Sequence, residues 1–484
     1  MTEHDYFAGQ PLQIGCGTHL LLDDHIVEDR WRLARVLERP EKFIRNPILV
    51  RDKPWEGDLA YRPHVIYDQT VGKYRMWYQC ISMMNYYGAA GPVYYIGYAE
   101  SDDGFNWQKP LLDVCDFPGF KKTNIVYCGT HRQRVQGVQV WRDEAETDQA
   151  RRYKMICLEA RPLAGELQSG VNLAVSPDGL RWKLTGENHI LDYHSDCENH
   201  VVYDPERKRW ILYCRPIHMY GAGRKIAHRH MRRRVAAMTS DDFVHWSYPR
   251  TVMVPDERDT PDYDACLVFR YAGQFLMLYH AMEGDDRGAN ETRLAVSRDG
   301  LHWQRFWSRQ PFLARGREGD WDGGQITVSC PPVPHGDHLL IYFTGTVAPQ
   351  YDENMAGGMG VAMIRRDRFA AQEAGDQTGF LLTREFLLEG NRLRINCSRK
   401  EGGAADAYIK VELTEHPPLG GHFGAMPGIP GFRLENADPV TANRTDAPVT
   451  WRGNGDLSVL TGKAVYLRFE MKNMKIFAFQ VTRE

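Results

Sequence analysis

Hydrophobic and polar residues alternate along most of the first 370 positions of the chain. The clearest case is 199–216, NHVVYDPERKRWILYCRP, where two apolar runs flank a charged turn. Alternation with a period of two is typical of half-buried β-strands, and no long stretch has the 3.6-residue period of an amphipathic helix. The same pattern of strand, turn and strand recurs at 62–80, 137–160, 265–281 and 329–345. The chain therefore predicts five antiparallel hairpins.

A turn motif with the pattern S-x-D-G-x-x-W comes after four of these hairpins. Its copies are SDDGFNW at 101–107, SPDGLRW at 176–182, SDDFVHW at 240–246 and SRDGLHW at 297–303. Glycine supplies the positive φ of such a turn, and the Ser and Asp side chains accept hydrogen bonds from its N–H groups. Phe243 replaces this glycine in the third copy, and RRDRFA at 365–370 is a degenerate fifth copy. The tryptophans are 75, 64 and 57 residues apart, which indicates one repeated unit of about four strands.

Five four-stranded units predict an all-β fold with a five-bladed β-propeller over 20–372, preceded by an arm at 1–19. A strand near Leu20 is expected to complete the fifth blade and close the ring. A β-sandwich or an irregular all-β domain is the alternative. The small, polar stretch 371–380 predicts a linker, and the alternation after it predicts an antiparallel β-sandwich at 380–484.

Composition narrows the classes of function. The net charge is −3, whereas nucleic-acid-binding proteins carry a basic bias. No apolar run approaches the roughly 20 residues that span a bilayer, and the N-terminus lacks the basic and apolar regions of a signal peptide. The ten cysteines form no C-x-x-C motif, as expected for reduced thiols. We expect a cytoplasmic protein without nucleic-acid or membrane partners.

The hairpins with S-x-D-G-x-x-W turns, followed by a β-sandwich, resemble the five-bladed-propeller glycoside hydrolases of families 32, 43, 62, 68, 117 and 130. The resemblance covers roughly 40–484. It implies an active site on the propeller axis, where the first strand of each blade begins. It also implies three convergent acids, from the first, third and fourth blades. Glycosidic cleavage needs one protonated carboxyl for the leaving oxygen and one ionised carboxyl that attacks or activates water.

The acids implied by this resemblance are found by aligning the first strands of the blades. Glu198 and Asp264 match the third-blade and fourth-blade acids, and each is a candidate general acid. Arg62 stands where the first-blade acid is expected. The base is then Asp58, Asp196 or Asp262, and the sequence leaves the choice open.

Other polar residues near the strand starts are candidates for binding the substrate. They are Arg62, His64, Gln139, His200, Asp322 and Gln325. Because residues i and i+2 of a strand point the same way, Arg62 and His64 are expected to share a face, as are Glu198 and His200. We expect no cofactor and no metal at the site, although a structural calcium near the axis stays open.

Two further segments have alternative interpretations. The basic run GAGRKIAHRHMRRR at 221–234 is either a solvated loop or a rim that attracts anionic oligosaccharide. The segment NYYGAAGPVYY at 85–95 either packs within a blade or forms a lid that stacks on sugar.

The sequence predicts a glycoside hydrolase that releases a terminal sugar, furanose or anionic, from a small oligosaccharide. The alternatives are a uronate-type polysaccharide lyase, a glycoside phosphorylase on the same propeller and a non-catalytic carbohydrate-binding protein. The sugar, the linkage, the stereochemical outcome and the oligomeric state stay open.

Overall fold

A computed structural model describes residues 10–131, 134–163, 165–186, 189–196, 198–217, 233–283, 287–352, 356–415 and 428–484. Strands are by far the main secondary structure among these residues, so the all-β prediction is confirmed. The helical elements among them are an α-helix at Met83–Tyr86 and short 3-10 turns at Gln149–Arg151 and Ser458–Leu460. None of the described helices has the length and apolar character needed to cross a membrane.

Residues 40–364 form one compact unit, and its described strands fall into five successive groups that are called sheets below; the fourth and fifth are joined into one ten-stranded sheet by the parallel pairing of Asn290 with Gln325. The first sheet consists of Leu59–Asp68, Lys73–Ile81, Tyr94–Ser101 and Ile125–Tyr127. The second consists of Val135–Arg142, Tyr153–Leu163, Glu166–Ser176 and Lys183–Leu184. The third consists of His200–Asp204, Arg209–Cys214, Val235–Ser240 and Arg250–Met253.

The fourth and fifth sheets follow the same order of strands. The fourth consists of Asp262–Tyr271, Gln274–Met282, Asn290–Ser297 and Gln304–Arg305. The fifth consists of Gln325–Thr327, Val333–His335, His338–Thr346, Gly357–Arg365, Glu41–Lys42 and Leu49–Val50. The first strand of each sheet is called the inner strand below.

Hydrogen bonds join each sheet to the next and the fifth sheet to the first. The bonded pairs, in ring order, are Gln79 with Val135, Gln139 with Val201, Arg215 with Asp264, His280 with Val328, and Ser329 with Pro63. These hydrogen bonds link successive sheets and connect the last sheet back to the first, which is typical of a β-propeller. Closure satisfies polar groups on the inner strands that would otherwise be left without partners.

The repeated turn motif has the predicted geometry. In the first copy, Ser101 Oγ accepts from Gly104 N at 2.9 Å, and Asp103 Oδ1 accepts from Phe105 N at 2.8 Å. Phe243, the residue in the glycine position of the third copy, keeps the left-handed backbone with φ of 64°. Three of the motif tryptophans contact an aromatic side chain of the neighbouring sheet that comes before their own. The pairs are Trp107–Tyr342, Trp182–Trp77 and Trp303–Tyr213.

The segment around Leu20 does not close the ring, contrary to the prediction. Gly17–Leu20 pairs with Met474–Thr482, and Glu41–Lys42 and Leu49–Val50 complete the fifth sheet instead. The physical reason is burial, because Leu20 is fully buried beside the C-terminal strand. The boundary predicted at 19–20 therefore differs from the boundary of the structure near residue 40.

The second compact unit combines residues 10–39 with residues 365–484. Its six-stranded sheet consists of Leu33–Leu37, Ala370–Ala374, Met474–Thr482, Arg392–Arg399, Arg444–Pro448 and Gly17–Leu20. Its five-stranded sheet consists of Val27–Trp31, Gly379–Thr383, Ala464–Lys472, Phe386–Leu387 and Tyr408–Thr414. The two sheets share one hydrophobic core.

The prediction of a linker at 371–380 is wrong for the first residues of that stretch. Ala370–Ala374 is a strand between Leu33–Leu37 and Met474–Thr482. Its alanines are fully buried, because their small side chains fit inside the core, so a composition that suggested a loop belongs to a packed strand.

Candidate active site

A cavity of about 790 Å³ lies where the inner strands of the ring begin. Its lining includes one residue from the start of each sheet: Arg62, Gln136, Asp196, Asp264 and Gln325. Each of the five sheets, or the segment directly before it, therefore contributes a polar side chain to one space.

One guanidinium joins two of the acids in this cavity. Arg215 Nη1 lies 2.7 Å from Asp196 Oδ2, and Arg215 Nη2 lies 3.1 Å from Asp264 Oδ1. Arg233 approaches Asp264 as well, with Nε 3.2 Å from Oδ1. Asp264 is only 2% exposed, whereas the side chain of Asp196 is 27% exposed. The two carboxylates thus flank one space and differ in their access to solvent.

The surrounding charges keep both carboxylates ionised. Burial alone would raise the pKa of Asp196, but Arg215, His194 and Arg62 outweigh it and lower this pKa to about 2. Burial likewise opposes ionisation of Asp264, and Arg233 and Arg215 outweigh it, so the pKa of Asp264 is also below its ordinary value.

Glu198 belongs to a second layer of contacts beside the cavity. It is buried, its Oε2 accepts from His200 Nε2 at 3.1 Å, and its Oε1 lies 3.2 Å from Arg62 Nε. Burial raises the pKa of Glu198, but the hydrogen bond from His200 and the charge of Arg62 lower it below the ordinary value. Arg62 lines the cavity and Glu198 does not, so the ion pair with Arg62 is the contact that connects Glu198 to the lining.

β-Bulges set the direction of the side chains at the strand starts. The pairing register shifts between Tyr61 and His64 in the first sheet, and equivalent shifts occur at Gln136/Gln139 and Tyr263/Cys266. A bulge breaks the period of two and re-aims the residues within it. The backbone at Arg62 is left-handed, with φ of 52°, and Arg62 N donates to Thr344 Oγ1 at 2.6 Å.

The bulge overturns the prediction that Arg62 and His64 face the same space. Arg62 lines the cavity, whereas His64 is buried with Nδ1 3.3 Å from the Ser329 carbonyl. Burial, followed by the charge of His200, lowers the pKa of His64 to about 4. His64 is therefore neutral at physiological pH and belongs to the packing between the first and fifth sheets.

Several other predicted residues have contacts that occupy their polar atoms. The carboxylate of Asp58 accepts from Met83 N at 2.6 Å, and Asp262 Oδ1 accepts from Arg233 N at 2.7 Å. Asp322 pairs with Lys42 at 2.6 Å. Gln139 bonds to the backbone of Val201 and links the second and third sheets. None of these four side chains lines the cavity, whereas Gln325 does.

Two arginines and two tyrosines of the cavity lining are not among the site residues that the sequence predicts, namely Arg215, Arg233, Tyr61 and Tyr351. Arg215 directly follows the second strand of the third hairpin, which pairs antiparallel to the inner strand, so its end lies beside the cavity. Arg233 was assigned to a basic surface run, yet it is only 5% exposed and lines the cavity. Positions 221–232 of that run lie outside the described residues. Five tyrosines also line the cavity, namely Tyr61, Tyr86, Tyr87, Tyr94 and Tyr351.

Across the ranges that the structure describes, no group of three or more His, Cys, Asp or Glu side chains is arranged to hold a metal ion.

No protein-family model matches the chain. An uncharacterized protein of Mycobacterium tuberculosis is 27% identical over 181 residues, which are 36% of this chain and 52% of that protein. The chain thus spans about half the length of this curated relative.

Several solved structures are similar. An N-acetylgalactosamine deacetylase from F. plautii, in complex with blood group B trisaccharide, is 15% identical with a TM-score of 0.47, over 69% of this chain and 96% of that one. A glycosyl hydrolase from Bacteroides ovatus is 13% identical with a TM-score of 0.46, over 69% and 95%. A β-1,2-mannobiose phosphorylase from Listeria innocua is 13% identical with a TM-score of 0.44, over 68% and 97%.

Proposed function

We propose that the protein is a carbohydrate-active enzyme that cleaves a glycosidic bond at the end of a small oligosaccharide. The observation that carries this proposal is the pair Asp196 and Asp264, two carboxylates that line one cavity and share the guanidinium of Arg215. Glycosidic cleavage uses two carboxyl groups on opposite sides of the scissile bond.

The surroundings of the two acids suggest different roles. Asp196 is ionised and partly open to solvent, which suits a base that activates water or a group that stabilises positive charge on the sugar. Asp264 is the candidate proton donor. Substrate that excludes water or draws Arg215 or Arg233 away would leave burial as its dominant influence and raise its pKa, as a general acid requires.

Phosphorolysis is the second candidate, and the three arginines of the cavity favour it. Arg62, Arg215 and Arg233 all line the space beside Asp264. A guanidinium binds phosphate through two parallel hydrogen bonds, so inorganic phosphate is a fitting nucleophile in place of water. A phosphate oxygen would then bond to the anomeric carbon while the bond to the leaving sugar breaks. The proton on Asp264 would pass to the leaving oxygen, and a sugar 1-phosphate would form.

The test is to incubate the purified protein with neutral and uronate-containing oligosaccharides, with and without inorganic phosphate. Release of reducing sugar without phosphate identifies a hydrolase, and phosphate-dependent formation of a sugar 1-phosphate identifies a phosphorylase. An unsaturated product that absorbs ultraviolet light would instead identify a lyase.

Three variants assign the chemistry to this cavity. We expect Asp264→Asn and Asp196→Asn each to lower turnover by a factor of about 100 or more, because each removes an acid or base. Asp241→Asn changes an exposed aspartate of a turn and should leave turnover unchanged. Full turnover in both cavity variants would show that the reaction takes place at another site. Saccharide binding without any turnover in the wild type would identify a binding protein.

A further inference from the structure

Part of the cavity wall is aromatic and open to solvent. Tyr86 and Tyr87 both line the cavity, yet they are 46% and 80% exposed. Three charged residues of the same cavity are buried, since Asp264, Arg215 and Arg233 are 2%, 4% and 5% exposed. This gradient of exposure puts the two tyrosines at the mouth of the cavity and Asp264 with its two arginines at the inner end.

The two tyrosines are held by their own segment rather than being loosely attached. Tyr86 N donates to Ser82 O at 2.9 Å, and Tyr87 N donates to Met83 O at 3.0 Å, which forms one helical turn. Asp58 accepts from Met83 N at the start of this turn.

Contacts from outside the turn add to this order. Asn85 Nδ2 donates to Pro92 O at 2.7 Å and ties the turn to the returning chain. The guanidinium of Arg134 lies 5.3 Å from the ring centroids of both Tyr86 and Tyr94. A binding surface that is already ordered loses little conformational entropy when a ligand arrives.

We infer that Tyr86 and Tyr87 form a stacking site for the sugar ring on the leaving-group side of the scissile bond. The inference rests on the proposed function. Tyrosine offers an apolar ring face and a polar hydroxyl, which match the C–H face and the hydroxyl groups of a neutral sugar. A terminal sugar that reaches the buried acids must project its neighbouring ring toward the mouth, where these tyrosines lie.

This site makes affinity depend on the length of the saccharide. A single sugar ring occupies the inner end and contacts neither tyrosine. A second ring gains a stacking contact and excludes water from the face of Tyr87.

The test measures binding in the Asp264→Asn protein, in which turnover is expected to be at least about 100-fold slower. The probes are gluco- and manno-configured saccharides of one to four rings, and affinity is followed by titration calorimetry. Tyr87→Ala is expected to abolish the gain between one ring and two, a loss of about tenfold, which corresponds to one ring-stacking contact. Binding of the single ring is expected to stay the same.

Two control variants accompany this measurement. Tyr87→Phe keeps the ring face and should keep the gain in affinity. Tyr248→Ala removes a tyrosine that is 65% exposed and does not line the cavity, and it should behave as the parent protein.

The outcomes separate the stacking site from the proposed function. If the wild type cleaves oligosaccharides while Tyr87→Ala keeps the whole gain with length, the stacking site is refuted and the proposed function stands. If the parent shows no gain with length, the stacking site is refuted as well. If the wild type neither binds nor cleaves any of the saccharides, the proposed function fails and the stacking site fails with it.

Discussion

Arg215 and Asp264 are joined by two hydrogen bonds from a single nitrogen. Arg215 Nη2 donates to the backbone carbonyl of Asp264 at 2.6 Å and to its carboxylate Oδ1 at 3.1 Å. The first bond links the third sheet to the fourth, and the second orients an acid of the candidate site. Closure of the ring and the chemistry of the cavity therefore depend on the same guanidinium, so damage to one is expected to affect the other.

Replacing Arg215 by methionine should destabilise the protein by about 3–5 kcal/mol, because the buried carboxylate of Asp264 loses a partner. The pKa values of Asp264 and Asp196 should rise, since Arg215 lowers both. The measurements are urea denaturation and the acidic limb of the pH profile of kcat/KM, which should move to higher pH. Arg215→Lys keeps the positive charge, so its acidic limb should move less; equal shifts in the two variants would contradict this account.

Asp196 should contribute a pH-dependent part of the stability. Its pKa is about 2 in the folded protein, below the ordinary value of 3.8, so the stabilisation is complete above about pH 4 and is lost as the pH falls toward 2. The difference in unfolding free energy between the wild type and Asp196→Asn should shrink by on the order of 2 kcal/mol over that range. Denaturation curves at a series of acidic pH values measure it, and a constant difference would show that Asp196 has an ordinary pKa.

His64 should make the protein less stable on mild acidification. Its pKa is about 4 in the folded protein and 6.5 for an unperturbed histidine, so between these values only the unfolded chain takes up the proton. The unfolding free energy therefore falls as the pH decreases from 6.5 to 4, by on the order of 3 kcal/mol from this residue. His64→Asn should show a correspondingly shallower decline. The matched variant His245→Asn, at an exposed position, should keep the steep decline of the wild type.

Substitutions at two glycines of nearly equal φ can distinguish the cost of backbone strain from the cost of a steric clash. Gly300 has φ of +73° and Gly273 has φ of +74°, both left-handed. A Cβ at Gly300 would lie 2.6 Å from Ile211 Cδ1, whereas a Cβ at Gly273 would have no neighbour within 4 Å. Gly273→Ala should cost about 1–2 kcal/mol from strain alone, and Gly300→Ala about 1–3 kcal/mol more from crowding. Urea denaturation compares them, and equal costs would mean that the S-x-D-G turn tolerates a methyl group.

Local chemistry made the strands and turns of this protein predictable from the sequence. Period-two alternation reports which side of a strand is buried, and the Ser, Asp and Gly of the turn motif act on backbone groups two or three residues away. The five hairpins and their turns follow from such short-range relations, and so does the all-β class. The meeting of inner-strand residues at one cavity was an expectation from the family resemblance, not from these local relations.

Long-range pairing was decided by the tertiary structure alone. Gly17–Leu20 is separated from its partner strand Met474–Thr482 by most of the chain, and alternation does not state which strand it joins. The alternation of residues with a period of two does not predict the bulges at the inner strands. Because of the bulge in the first sheet, His64 points away from the cavity that Arg62 lines. Arg215 and Arg233 reach the site from outside the aligned inner strands. The elements and their repeat can be read from the amino-acid sequence. Which side chains share the cavity depends on distances between residues far apart in the chain, and only the folded protein sets those distances.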